Sequence, residues 1–155
     1  MRTIKFRAKN RLNQWVYGVP CVYPEMKTDA CMFNSYWTDD NGCLHETRFA
    51  IDDTNTVGQF TGLCDKNGKE IYEGDILRYP PKDQREENNF VSYEVFWHDN
   101  DCADRHIGWQ MNRRHFHGNN CGVINDFTNF LPKYTNKMEV IGNVVDNPEL
   151  LKGGK

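Results

Sequence analysis

Apolar and polar residues alternate along most of this chain, in short runs separated by turn-forming residues. Ile4, Phe6 and Ala8 share one face of an extended segment and Lys5 and Arg7 the other, the pattern of a half-buried strand. Asn10 to Gln14 reads as a turn. Trp15 to Tyr23 is a second extended run, which Gly18 and Pro20 mark as an edge strand or two short pieces. A loop from Pro24 to Ala30 precedes a strand over Cys31 to Trp37. Asp39-Asp40-Asn41-Gly42 is a hairpin signal leading into Cys43 to Ile51, and Asp52 to Asn55 turns the chain into Thr56 to Phe60.

The stretch from Val57 to Leu77 is rich in turn residues. Thr61-Gly62 marks a bend, and Asn67-Gly68 predicts a type I′ hairpin turn, with Asp65, Lys66, Lys69 and Glu70 as solvated flanks. Gly74 relieves the backbone before Asp75 opens the next strand. Ile76 to Tyr79 is that strand, ended by Pro80-Pro81, and Lys82 to Asn89 is a charged loop. Phe90 to His98 places Val91, Tyr93, Val95 and Trp97 on one face and Phe96 on the other. Asp99 to Arg105 is a polar turn, Ile107 to Met111 a short strand, Asn112 to Asn120 a basic polar segment and Cys121 to Ile124 another strand. Asp126 is placed to cap one helical turn through Leu131, which Pro132 would stop, and Met138 to Val145 is the last strand.

Closely spaced strands with almost no helical periodicity predict an all-β (mainly β) fold with little helix. We expect an N-terminal β-meander over residues 1–60, a small SH3-like β-barrel over 61–151 and a tail at 152–155. Nine Phe, seven Tyr and four Trp supply the apolar area that such a core needs.

The net charge of −3 hides an uneven distribution. Arg2, Lys5, Arg7, Lys9 and Arg11 stand in the first 20 residues with no acid, while residues 21–60 carry seven acids against Lys27 and Arg48. A positive strand can touch nucleic acid or an acidic partner; neutralisation by the acidic segment that follows is the favoured reading. Six cysteines show no paired spacing, no signal peptide is apparent and no run suffices to span a membrane. Reduced, mostly buried thiols in a cytoplasmic protein are the expectation.

Chemistry is weakly marked. His98, Cys102 and His106 form one candidate zinc set, His115, His117 and Cys121 a second, and Cys43 with His45 a third, each dependent on the fold to assemble it. Asp65-Lys66-Asn67-Gly68 lacks the further ligands of a calcium loop. Nothing singles out one cysteine as a nucleophile, and Ser35 and Ser92 are the only serines. We therefore assign no catalytic residue, no metal ligand and no cofactor, and a metal- or cysteine-dependent enzyme is the third reading. Trp97, Trp109, Arg113, Arg114 and Phe116 form the candidate binding surface, suited to a protein contact or to base stacking beside phosphates.

Ile4-Lys5-Phe6-Arg7-Ala8, Gln59-Phe60-Thr61-Gly62-Leu63, the run from Asp65 to Ile76, and Val140-Ile141-Gly142-Asn143-Val144 with Asn147-Pro148-Glu149-Leu150-Leu151 follow one another in an order that resembles the YopX protein family of bacteriophages and prophages. The resemblance runs nearly end to end. It implies a phage- or prophage-borne protein of the bacterial host cytoplasm with a β-rich fold and a tendency to self-associate, and brings no catalytic residues. It marks Phe6, Arg7, Thr61, Gly62, Asn67, Gly68, Gly74, Asp75, Gly142 and Asn143 as structural motif positions. Lys9 and Asn10 depart from the aromatic and acid that often follow the first motif, and Cys64 from a position usually polar or charged. The expectation is a non-enzymatic accessory protein that binds a host or phage protein, with a nucleic-acid-binding small barrel as the alternative and no membrane partner.

Overall fold

A computed structural model of the chain describes residues 3–21, 31–81, 90–99, 107–116, 122–129 and 132–151, the side chains of 114–116, 122–129 and 132 excepted. Backbone contacts divide it into two units, Met1–Phe60 and Thr61–Lys155.

The first unit is an antiparallel sheet of β1 (Phe6–Lys9), β2 (Trp15–Cys21), β3 (Cys31–Thr38), β4 (Leu44–Ile51) and the start of β5 (Gly58–Cys64), in the order β4-β3-β2-β1-β5. A 3-10 turn at Thr54–Thr56 precedes β5, with the Asp53 side chain accepting from the Asn55 amide. Alternation decides the faces. Ala8, Val16, Cys31, Phe33 and Ile51 bury one side with Phe6, Phe49 and Val57 packed against them, whereas Ile4 is left exposed. β2 is interior and not an edge strand. Its ladder with β1 ends at the Phe6–Gly18 pair, so Pro20 pairs with β3 alone, past the end of that ladder. The missing proline N–H costs nothing there.

The second unit holds β6 (Glu70–Tyr72), which pairs with the end of β5, and an antiparallel sheet of β7 (Asp75–Arg78), β8 (Val91–His98), β9 (Gly108–Phe116), β10 (Gly122–Asn129) and β11 (Glu139–Asn143). The sheet order is β10-β9-β8-β7-β11, and α1 (Pro132–Thr135) is a single turn before β11. Ile71, Leu77, Val95, Met111 and Met138 make the core, with Leu63, Trp109 and Tyr134 against it. The chain is mainly β as expected, but among the described residues no barrel closes: β10 and β11 end the sheet and do not pair with each other. Two further expectations fail. β9 continues through the basic segment to Phe116, because β8 on one side and β10 on the other pair with its backbone whatever its side chains. Asp126 lies within β10, and Pro132 starts the helical turn it was expected to stop, where a proline lacking its N–H is favoured.

Among the described residues one four-residue turn is used three times. In each, an Asn or Asp carboxamide or carboxylate oxygen accepts two backbone amides: Asn10 from Leu12 and Gln14, Asp39 from Asn41 and Cys43, Asp65 from Asn67 and Lys69. The fourth residue takes positive φ, which Asn13 (58°), Gly42 (81°) and Gly68 (80°) supply. Asn67 does not, so the Asn67-Gly68 hairpin is not the type I′ turn expected. The type I geometry with a left-handed fourth residue won because Asp65 ties down both amides of the loop. Asp65 is not solvated either. It is only 6% exposed, and its second oxygen accepts the Val140 amide of β11 at 3.0 Å.

Five other motif positions, Thr61, Gly74, Asp75, Gly142 and Asn143, also hold or make room for neighbouring chain. Thr61 Oγ1 donates to the Ile71 carbonyl, and the Asp75 carboxylate accepts the Tyr72 amide. Gly74 ties β8 to the turn after β11 through its backbone, its amide donating to the Val95 carbonyl and its carbonyl accepting from the Val144 amide. Gly142 leaves room for Asn147, whose Oδ1 would stand 2.4 Å from an added Cβ. Asn143 in turn accepts the Val145 and Asp146 amides and closes the turn after β11.

Candidate functional site

The β8–β9 ladder sets out the candidate surface. Trp97 pairs with Trp109, Val95 with Met111 and Tyr93 with Arg113, so these six side chains lie on one face of the sheet. Met111 and Val95 belong to the core, which places the Trp pair at its end. The two indoles meet edge to face, 5.1 Å between centroids at 81°. Trp109 is half-buried against the core, whereas Trp97 keeps 44% of its surface exposed. Tyr79, also exposed, packs edge-on against Tyr93 at 6.2 Å, and burial pushes its phenol pKa up.

Two donors on this face are buried without an acceptor, Trp109 Nε1 and Arg113 Nε. A buried N–H without a partner loses its hydration and regains nothing, so each is a place where an incoming acceptor would be favoured. The ladder also breaks here. Ser92 pairs with His115 and Tyr93 with Arg113, leaving Arg114 as an extra residue in β9, and the β9–β10 register shifts at the same point. A bulge of this kind re-aims neighbouring side chains. The structure thus brings Trp97, Trp109 and Arg113 to one face; Arg114 sits at the bulge and Phe116 pairs with Val91 and Gly122, their side chains lying outside the described residues.

The metal candidates do not assemble among the described residues, where no group of three or more His, Cys, Asp or Glu side chains converges. His98 is buried on the face opposite Trp97, edge-on to Phe96. His45 stacks on Trp37 at 4.4 Å and shares a 3.0 Å contact with Asp39, which holds the Asp39 carboxyl below the usual range together with the Cys43 amide. Cys102, His106, His117 and Cys121 lie outside the described residues, as does the side chain of His115. The four thiols among the described residues are less buried than expected. Cys31 is buried and its pKa pushed up, but Cys43 and Cys64 are exposed because one follows a turn and the other ends β5.

Sequence reasoning missed one charged cluster, which spans residues far apart in the chain. Glu139 on β11 accepts from Lys66 Nζ and Arg78 Nε, both at 2.8 Å, and these two cations hold its carboxyl below the usual glutamate range. Arg78 also lies over the Phe90 ring. The cluster is a clamp between the Asp65 turn, β7 and β11, with its acid already satisfied.

Fold and surface define a two-unit antiparallel β protein with an aromatic face beside unsatisfied donors. The family model described as YopX protein matches residues 5–152, and the chain belongs to the YopX protein family. Among solved structures, protein EF1440 from Enterococcus faecalis is similar over 98% of this chain and 100% of its own, at 23% identity and a TM-score of 0.56. That likeness shows the fold. No curated protein matches the chain. Among the described residues no helix is long and apolar enough to cross a membrane.

Proposed function

We propose that this is a phage or prophage accessory protein of the bacterial cytoplasm that acts by binding a host or phage protein and catalyses no reaction. The observation that carries the reading is Trp97, held half-exposed on Trp109 beside the buried, acceptor-less donors of Trp109 and Arg113. Trp and Arg dominate the energetics of protein contacts when they are rigidly held and become desolvated. Covering the exposed part of one indole contributes about 2 kcal/mol by area, and an acceptor from the partner would satisfy the orphan donors. A second copy of the chain is one form the partner can take, in keeping with the family's implied self-association.

The test uses the full chain and its Trp97→Ala variant as baits against host lysate, with and without induced prophage, alongside sedimentation of each protein alone. The reading expects a defined partner, or a dimer, held by the wild type and lost by the variant. Equal behaviour of the two proteins would overturn it.

A further inference from the structure

β4 stands at the end of the first unit's sheet. β3 pairs with it along its whole length on one side, and among the described residues no strand pairs with it on the other. An edge strand carries a row of unpaired backbone N–H and C=O groups, which proteins blunt with short length, proline, lysine, a bulge or a covering segment. The other sheet ends among the described residues show such devices. β6 is three residues long, β10 and β11 are bulged against their neighbours, and the Val140 amide of β11 is taken by Asp65. β4 runs for eight residues without proline, glycine, lysine or a break in its register.

The hairpin before β4 fixes which of its groups face outward. The Asp39 amide donates to the Cys43 carbonyl, so these residues form a hydrogen-bonded pair, and such pairs alternate from there: Trp37 with His45, Ser35 with Thr47, Phe33 with Phe49, Cys31 with Ile51. The N–H and C=O groups of Leu44, Glu46, Arg48 and Ala50 therefore point away from β3. A second β4, antiparallel and related by a two-fold axis, can meet these groups in few registers. Centred on Glu46 or on Arg48, the pairing sets like charges directly opposite each other, which destabilises it. Centred on Thr47, it sets Glu46 of each copy opposite Arg48 of the other, Leu44 opposite Ala50 and His45 opposite Phe49. That register also uses all of the outward-facing residues, each pair exchanging two backbone hydrogen bonds. Neither charged group has to be released for it. Arg48 is bound to Glu46 of its own strand at 2.9 Å, the two side chains stay 58% and 31% exposed, and the same pair from the second copy completes a ring of alternating charge. On the opposite face, Phe49 of the second copy comes beside the Trp37–His45 stack, where Trp37 is 50% exposed.

We infer that β4 is a self-pairing edge, through which two copies of this chain join the sheets of their first units into one continuous antiparallel sheet centred on Thr47. A second copy fits better than a strand of another protein because the strand is its own charge complement. An isologous contact needs the acid to meet the cation in both directions, and Glu46 and Arg48 at equal distances from Thr47 supply that. The edge uses no residue of the contact proposed at Trp97.

Sedimentation of the full chain over a range of concentrations tests this. The wild type is expected to pass from monomer to dimer, and Trp97→Ala to keep that dimer. Glu46→Arg gives a strand with two cations and Arg48→Glu one with two acids, so each should weaken its own dimer roughly tenfold or more. Mixed in equal amounts, the two variants should recover a dimer made of one copy of each. The double variant Glu46→Arg, Arg48→Glu exchanges the charges and should dimerise within a few fold of the wild type. An exposed ion pair adds little to the fold itself, so the single variants should remain folded, which melting curves check. A wild type that stays monomeric, whether or not its edge takes a strand from another protein, would overturn the inference. So would a dimer indifferent to both single substitutions, a mixture of the single variants no more associated than each alone, or a dimer that Trp97→Ala abolishes.

Discussion

Replacing Asp65 with alanine removes an acceptor that serves three backbone amides at once: Asn67 at 2.7 Å, Lys69 at 2.9 Å and Val140 at 3.0 Å. The Val140 bond joins β11 to a turn 75 positions away in sequence. Hydrogen bonds to a charged partner contribute about 1.5–3 kcal/mol where water cannot replace the acceptor, and the two turn amides about half a kcal/mol each where it can. The sum is about 3 kcal/mol, which for a unit of this size lowers the melting temperature by roughly 10–20 °C. Thermal unfolding followed by circular dichroism gives the value. Asp39→Ala is the internal comparison, because the Asp39 turn has the same two amide bonds but spends its second oxygen on the half-buried His45, six residues away in the same hairpin. It should fall by less than half as much. If Asp65→Ala melts within a degree or two of the wild type, or no lower than Asp39→Ala, the bond to Val140 is not what anchors β11.

Gly68→Val puts a branched side chain at φ 80° in open space, so its cost is conformational alone, about 1–2 kcal/mol; Gly74→Val adds to a similar strain a contact with the Val144 side chain, 3.1 Å from the new Cβ, and should melt lower still. Gly18→Ala would set its Cβ 2.4 Å from the Asn34 carbonyl oxygen, backbone that cannot yield cheaply. It should unfold the first unit's sheet or lower its melting temperature by roughly 10 °C or more, the upper range of overpacking. Glu139→Gln should destabilise the protein near neutrality. The folded-state carboxyl titrates below the ordinary 4.5, so the stability it contributes is complete above that value and is lost as the pH falls through the lowered one. The gap between wild type and variant in pH-dependent melts should therefore close in acid, and a gap that persists there would refute the ionic account.

Much of the fold is legible in the alternation of residues. Val91, Tyr93, Val95 and Trp97 share a face in the chain's pattern and in the sheet, and the division of apolar residues in β1 and β3 follows the same rule. Turn positions are legible too, because Asp-x-Asn-Gly offers both a side-chain acceptor and a residue tolerant of positive φ. The unreadable parts are non-local. Asp65 carries no local mark of its bond to Val140, and the basic run of β9 is held as strand by neighbours on both sides. Barrel closure depends on whether the sheet's outer strands meet, which no single strand encodes. Of the candidate site, the rings and Arg113 could be named from composition and spacing, but the orphan donors and the bulge at Arg114 emerge only from register.

The proposed contact at Trp97 is open to direct test. A photo-crosslinking amino acid placed at position 97 of the full chain, activated in host cells carrying the prophage, tests it most directly, with the same group at exposed Lys69 as the control. A contact at Trp97 gives one defined adduct at position 97, with a host or phage protein or with a second copy of this chain, absent at position 69 and suppressed by excess wild-type protein. No adduct at position 97, or the same diffuse products from both positions, would contradict it.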